Sequence, residues 1–116
     1  MTHAVLGDVA LVPLPDASGA TFKIRPAVIL ASLPGPYQEI LICGVTTQLH
    51  AVVADWDELI QPGDVDFSPS GLHQMSVIRL SYLGAVRYVR VLKTIGRIDQ
   101  ARLERLQVRL ADRIRP

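Results

Sequence analysis

The chain has 116 residues, of which 49% are hydrophobic, and a formal net charge of +1, so it can bury a core without disulfide or metal support. Its only cysteine, Cys43, excludes an internal disulfide and suits a reducing compartment. No apolar run approaches the roughly 18 residues of a membrane span, and Met1-Thr2-His3 is not a secretory start. We therefore expect one cytoplasmic domain over residues 1–116, with no membrane contact.

The charges are unevenly distributed along the chain. Residues 1–78 carry two basic and eight acidic side chains, whereas residues 79–116 carry ten basic and three acidic ones. This division has two interpretations: a late basic surface that meets a polyanion or an acidic partner, or acidic loops that pair with the basic end of the same chain.

The first third of the sequence predicts two strands joined by a long loop. Residues 7–14 are rich in β-forming side chains, and residues 16–23 have a loop composition and exceed what a hairpin needs, which makes them a candidate binding flap. Residues 23–31, in which the basic pair Lys23 and Arg25 opens onto an unbroken apolar run, predict a strand buried on both faces. Pro26 should lie at its first rungs or on an edge, because proline has no N–H for the sheet. Arg25 then lies at the mouth of the strand.

Further strands follow after Pro34-Gly35-Pro36. Residues 39–45 predict a third strand that ends in Thr46-Thr47-Gln48. We expect a short strand at 51–56, an acidic loop at 57–70, and a strand at 75–81 with Val77, Arg79 and Ser81 on one face. Two more β-like segments, 82–86 and 92–95, are separated by the basic residues 87–90.

The period changes near the C-terminus from that of a strand to that of a helix. Asp99 is a suitable N-cap, and an apolar stripe of helical spacing follows at Leu103, Leu106, Leu110 and Ile114. A parallel stripe contains Arg102, Arg105, Arg109 and Arg113, which suggests an anionic partner, the acidic loops, or a solvated flank. Five to seven short strands with one terminal helix predict a small barrel or a sandwich.

Metal and cofactor chemistry has little support in the sequence. His3, His50 and His73 lack ligand spacing, and the pairs Asp55/Asp57 and Asp64/Asp66 lack the glycine and glutamate of a calcium loop. Cys43 lies in an apolar run and is expected to be inert core. We therefore predict no metal and no cofactor.

Three side chains at strand ends suit a phosphodiester: Arg25, Thr46 and Arg79. Arginine offers two parallel donors to phosphate oxygens and keeps its charge, and threonine adds a hydroxyl. Each also has a simple structural explanation, as an edge ion pair, a turn former and an exposed strand position.

The motifs in which these residues occur resemble the PemK/MazF toxin family of type II toxin–antitoxin systems over about residues 7–112. The similar segments are Gly7-Asp8-Val9, Arg25-Pro26-Ala27-Val28-Ile29-Leu30, Val45-Thr46-Thr47-Gln48, Gly71-Leu72, Ser76-Val77-Ile78-Arg79 and Ile95-Gly96-Arg97-Ile98. The resemblance implies a homodimer of SH3-like β-barrels, each mainly β with a C-terminal helix. It also implies metal-independent, sequence-specific cleavage of single-stranded RNA, often messenger RNA, and an antitoxin with an acidic segment that covers the site. Contact with DNA would occur only through the antitoxin complex.

The resemblance also implies roles for individual residues. The ribose 2′-OH attacks the adjacent phosphate, Arg25 stabilises the pentavalent phosphate and can protonate the leaving oxygen, Thr46 holds a phosphate oxygen, and Arg79 lies near the scissile bond. RNA contacts are expected from Lys23, Thr47, Gln48 and Ser81.

The chain departs from the family at the acids. Ala20 and Ser81 stand where some relatives have a carboxylate, and Met75 replaces an acid before the serine. The general base is therefore open, with His50 and Asp16 as candidates, His50 because imidazole ordinarily titrates near neutrality. Two alternatives follow: a non-catalytic barrel that binds a protein such as DNA gyrase, and a regulatory protein whose arginine-striped helix anchors nucleic acid.

Overall fold

The computed structural model describes residues 4–16 and 18–116, so His3 of the sequence analysis and Ala17 of the candidate flap lie outside the described residues. Six strands and two helices are present in this part of the chain. They are β1 Asp8–Pro15, β2 Phe22–Ser32, β3 Glu39–Thr46, β4 Glu58–Ile60, α1 Phe67–Ser70, β5 Ser76–Arg87, β6 Lys93–Arg97 and α2 Gln100–Ile114.

The strands form one antiparallel sheet in the order β4-β5-β3-β2-β1-β6. The sheet curls into a half-barrel, and α2 follows its last strand. The predicted fold class, mainly β with a C-terminal helix, is confirmed.

The sheet is buried on both sides where β2 passes through its centre. Val28 and Leu30 pack towards Leu103 and Leu106 of α2, whereas Ala27 and Ile29 belong to a second apolar cluster with residues of β1 and β3. Because alternate residues of a strand face opposite sides, an apolar run such as residues 27–30 is what this position requires.

The first half of β2 differs from the prediction. Phe22, Lys23, Ile24 and Arg25 are exposed, so burial on both faces holds only from Ala27. The reason is pairing: β2 meets β1 from Phe22 onwards, but its pairing with β3 begins at Ala27. Pro26 therefore lies in an edge segment, where the missing N–H costs no ladder bond.

Three other boundaries were predicted wrongly. Residues 51–56 are not a strand, since Leu49–Ala51 is a 3-10 turn and the short strand is β4, inside the stretch predicted as an acidic loop. The predicted segments 75–81 and 82–86 are one strand, β5, which begins at Ser76. Its register with β3 shifts within this strand, because Cys43 pairs with Leu83 but the next residue, Gly44, pairs with Arg79. The candidate flap is shorter than predicted, because β2 already begins at Phe22.

The terminal helix α2 is confirmed. The Asp99 carboxylate accepts a hydrogen bond from the Arg102 N–H at 2.9 Å, as an N-cap does. Leu103 and Leu106 are buried, whereas Ile114 at the end of the stripe is 75% exposed. Within the described ranges 4–16 and 18–116, neither helix is long and apolar enough to cross a membrane.

Two glycines fix α1 against β6. Gly71 ends α1 with φ +78°, and a Cβ there would lie 2.1 Å from the Ile95 carbonyl oxygen. A Cβ on Gly96 would lie 2.2 Å from the Pro69 carbonyl oxygen. Only glycine permits both approaches, so these positions set the course of residues 72–75 beside the sheet.

Candidate functional site

Arg25 and Thr46 lie where β2 and β3 separate. The two strands last pair at Ala27 and Gly44, and Arg25 and Thr46 stand two residues beyond that pair, one on each strand. Arg79 of β5 is the partner of Gly44. The sheet therefore brings together the three residues that the sequence analysis proposed for a phosphodiester.

Two cavities flank this position. The first, which we call the Tyr82 cavity, has a volume of about 330 Å³ and is lined by polar groups of Asp16, Arg25, Thr46, Gln48, Arg79 and Tyr82. The second, which we call the His73 cavity, has a volume of about 350 Å³ and includes Arg25, Thr46, Thr47, His73, Gln74 and Ser76. Arg25, Val45 and Thr46 line both, and we call this shared wall the ridge.

The cavity arginines have no anionic partner within the part of the chain that the structure describes. Neither Arg25 nor Arg79 has a carboxylate within 4.0 Å. The Nε of Arg79 is buried and lacks any hydrogen-bond partner there. A buried unsatisfied donor is costly, so the Arg79 Nε would gain from a hydrogen-bond acceptor. The Arg25 guanidinium is exposed and has no carboxylate partner among the described residues.

The arginine stripe of α2 behaves in the opposite way. Arg102 Nε lies 2.7 Å from Asp66 Oδ2, and Arg102, Arg105 and Arg109 all contact the Glu58 carboxylate at 3.0–3.1 Å. Three of the four stripe arginines are therefore neutralised by the acidic segment of the same chain. Self-complementarity, one of the two interpretations of the charge distribution, accounts for these residues.

Asp16 lies in the Tyr82 cavity, but its oxygens are occupied. Its carboxylate accepts hydrogen bonds from the Ser18 hydroxyl at 2.6 Å and N–H at 3.0 Å, and from the Thr21 hydroxyl. The Ser18 and Thr21 hydroxyls lower the pKa of Asp16 to about 2. A carboxylate of such low basicity is a weak proton acceptor near neutral pH.

The remaining predicted residues differ in whether they line one of the two cavities. Thr47 lines the His73 cavity and Gln48 the Tyr82 cavity, whereas His50 and Lys23 are exposed and line neither. The Gln48 N–H donates to the Thr46 Oγ1 at 3.1 Å, which leaves the hydroxyl proton of Thr46 available. Ser81 donates its hydroxyl and its N–H to the buried Asp57, at 3.0 and 3.1 Å.

Sequence reasoning missed two residues of the site. The Tyr82 hydroxyl donates to the Pro15 carbonyl oxygen at 2.9 Å, and its ring lies against Gly44, where a Cβ would approach within 3.4 Å. Gly44 and an aromatic residue in the next strand were a signal, but only with the register known. His73 was considered only as a metal ligand, and nothing in the sequence showed that its loop reaches Arg25.

Cys43 is buried, and burial raises the pKa of its thiol to about 12, which agrees with the prediction of an inert core residue. Among the described residues, no group of three His, Cys, Asp or Glu side chains is placed to hold a metal ion.

A sequence comparison shows the family to which the chain belongs. Residues 6–113 match the family described as PemK-like, MazF-like toxin of type II toxin–antitoxin system. The chain belongs to this family, and the resemblance inferred from its motifs is confirmed. No curated protein matches the chain in a sequence comparison.

Proposed function

We propose that this toxin-family protein is a metal-independent endoribonuclease that cleaves single-stranded RNA. The observation that carries the proposal is the ridge, where Arg25 and Thr46 lie between two cavities and Arg79 has a buried Nε without a partner. Such a site suits a phosphodiester with one nucleoside on each side.

The chemistry follows from the groups on the ridge. The O2′–P bond forms as the P–O5′ bond breaks, the 2′-OH loses its proton, and the leaving O5′ gains one, which yields a cyclic phosphate and a 5′-OH. Arg25 donates to the non-bridging oxygens, whose charge grows in the pentavalent state. Thr46 donates its free hydroxyl proton to one of them.

The RNA contacts of the proposal come from the rims of the two cavities. Thr47 and Gln48 each line one cavity, and Lys23 is exposed on β2, two residues before Arg25 and on the same face of the strand. The Ser81 hydroxyl is already held by Asp57, so we assign Ser81 to support of the site. Sequence preference would arise from nucleobases within the cavities.

Family membership supports the partners. We propose a cytoplasmic homodimer that is inhibited by an antitoxin, and an acidic segment of the antitoxin would pair with the cavity arginines that have no carboxylate of their own. DNA would be contacted only by the complex.

A second candidate function is a non-catalytic toxin that binds a protein target of the gyrase type. The observation that favours it is the engagement of the nearest carboxylates, because Asp16 is held by Ser18 and Thr21, and Asp57 by Ser81. The other alternative, a regulatory protein that anchors nucleic acid through the arginines of α2, loses support. Three arginines of the stripe form ion pairs with Asp66 or Glu58 of the same chain.

The test is cleavage of single-stranded RNA by purified protein in EDTA, with 5′-OH ends detected by direct phosphorylation of the products. Arg25→Ala should lose at least about 100-fold in rate, because it removes the charge that stabilises the transition state. Arg115→Ala, at an exposed arginine after α2, is the matched control and should cleave normally. Intact RNA at high protein concentration, or equal cleavage by Arg25→Ala, would refute the proposal.

A further inference from the structure

We propose that His73 is the general base of this reaction and that the RNA crosses the ridge in one direction. The ribose whose 2′-OH attacks lies in the His73 cavity, and the leaving nucleoside lies in the Tyr82 cavity. This inference rests on the proposed nuclease function and adds to it the missing proton acceptor and the polarity of the strand.

The composition of the two cavities restricts the choice of base. Among the described residues that line them, Asp16 and His73 are the only carboxylate or imidazole groups. Asp16 is a weak base, since the Ser18 and Thr21 hydroxyls lower its pKa to about 2. Imidazole is the side chain suited to proton transfer near neutral pH.

The backbone around His73 is fixed, as a catalytic base requires. On one side, Gly71 is packed against the Ile95 carbonyl and the Leu72 N–H donates to the Ser70 Oγ at 3.1 Å. On the other side, the Ser76 hydroxyl donates to the Gln74 carbonyl oxygen at 2.8 Å. The imidazole forms no hydrogen bond with any described group, so its nitrogen atoms are free for substrate.

Displacement at phosphorus sets the direction of the strand. The attacking and leaving oxygens lie roughly in line on opposite sides of the phosphorus, and the ridge has one cavity on each side. With His73 in one cavity, the leaving oxygen faces the other, where the Arg79 guanidinium stabilises its charge. Of the described side chains that line the His73 cavity, Arg25 is the only one from the group Lys, Arg, Asp and Glu.

The proton balance is complete without a co-reactant. His73, neutral at the start, takes the 2′-OH proton as the O2′–P bond forms. The P–O5′ electron pair stays on O5′, which is protonated from water, and the imidazolium returns its proton to the solvent afterwards.

The experiment compares wild type, His73→Gln, His73→Asn and His50→Gln in single-turnover cleavage of a mapped RNA between pH 5 and pH 9. A base must be unprotonated, so the wild-type rate should decline towards the acidic end of this range. Both His73 variants should lose about 100-fold or more and should also lose that acidic decline. Both should retain the far-UV circular dichroism of the wild type, because His73 is exposed.

A second substrate separates a base from an acid. When sulfur replaces the bridging 5′-oxygen, the leaving group departs without protonation, so a variant that lacks the acid recovers and one that lacks the base does not. Continued impairment of His73→Gln on this substrate supports the proposal. The proposal would be overturned if His73→Gln recovered on this substrate, or if the His73 variants lost less than about tenfold in cleavage rate on the ordinary RNA. Loss of the acidic decline in His50→Gln would also overturn it. A wild-type protein that leaves all RNA intact would instead refute the nuclease function itself.

Discussion

The carboxylate of Asp57 accepts hydrogen bonds from both the N–H and the hydroxyl of Ser81, which lies 24 residues later in the chain. Asp57 also accepts the Val53 N–H at 2.9 Å. The buried carboxylate therefore ties the loop after β3, which carries Gln48 and His50, to the irregular part of β5 beside Arg79.

Ser81→Ala should lower the free energy of unfolding by about 1–2 kcal/mol, because it removes one donor to a charged acceptor and leaves the others in place. Urea unfolding at neutral pH measures this. Ser68→Ala, at an exposed serine of α1, is the control and should change the value by less than about 0.5 kcal/mol. Equal effects of the two substitutions would show that the contact to Asp57 contributes little.

Arg102→Met should destabilise the protein by about 3–5 kcal/mol, because it leaves the Asp66 carboxylate buried without its cation. Arg113→Met removes an exposed arginine from the same helix and should have little effect. Thermal and urea unfolding of both variants provide the comparison. A small loss for Arg102→Met would mean that the ion pairs only offset their own desolvation.

The same cluster predicts a loss of stability in acid. Burial raises the pKa values of Asp66 and Glu58, but the arginines of α2 and their hydrogen bonds outweigh it, so both pKa values lie below their usual range. Such carboxylates stabilise the fold above the ordinary carboxyl range near pH 4, and this contribution disappears as pH falls through their lowered values. Below about pH 4, the urea concentration at the midpoint of unfolding should decrease as the pH is lowered. It should decrease less steeply with pH in Asp66→Asn than in the wild type. Identical slopes in the two proteins would contradict the assignment.

Gly71→Ala should cost more than Gly63→Ala, although both glycines have a positive φ. A Cβ at Gly63 meets nothing within 4 Å, so that variant isolates the backbone term of about 1–2 kcal/mol. At Gly71 the Cβ would also press on the Ile95 carbonyl at 2.1 Å. Unfolding free energies of the two variants test this, and equal costs would refute the proposed close packing of α1 on β6.

The sequence predicted the elements whose signal is local. The stripe beginning at Leu103 and the N-cap Asp99 located α2, and the apolar runs around Val28 and Ile42 located β2 and β3 within a residue or two. The motif residues Arg25, Thr46 and Arg79 also lie near one another, because they are at or near ends of strands that pair with one another.

The features that the sequence did not predict depend on contacts between residues that are far apart in the chain. β4 has only three residues, and what makes it a strand is its pairing with Ile78 and its neighbours in β5. The role of Arg102 was ambiguous because its partners lie 36 to 44 residues away. His73 lines a cavity together with Gly71, which packs on β6, and no local pattern indicates that packing.

The most direct test of the account is an RNA with one 2′-deoxynucleotide at a mapped cleavage position. If the 2′-OH is the nucleophile at the ridge, cleavage there should cease in EDTA while other positions are still cut and still give 5′-OH ends. Cleavage at the deoxynucleotide, or products that carry a 5′-phosphate, would contradict the account, because a different nucleophile would then attack the phosphorus.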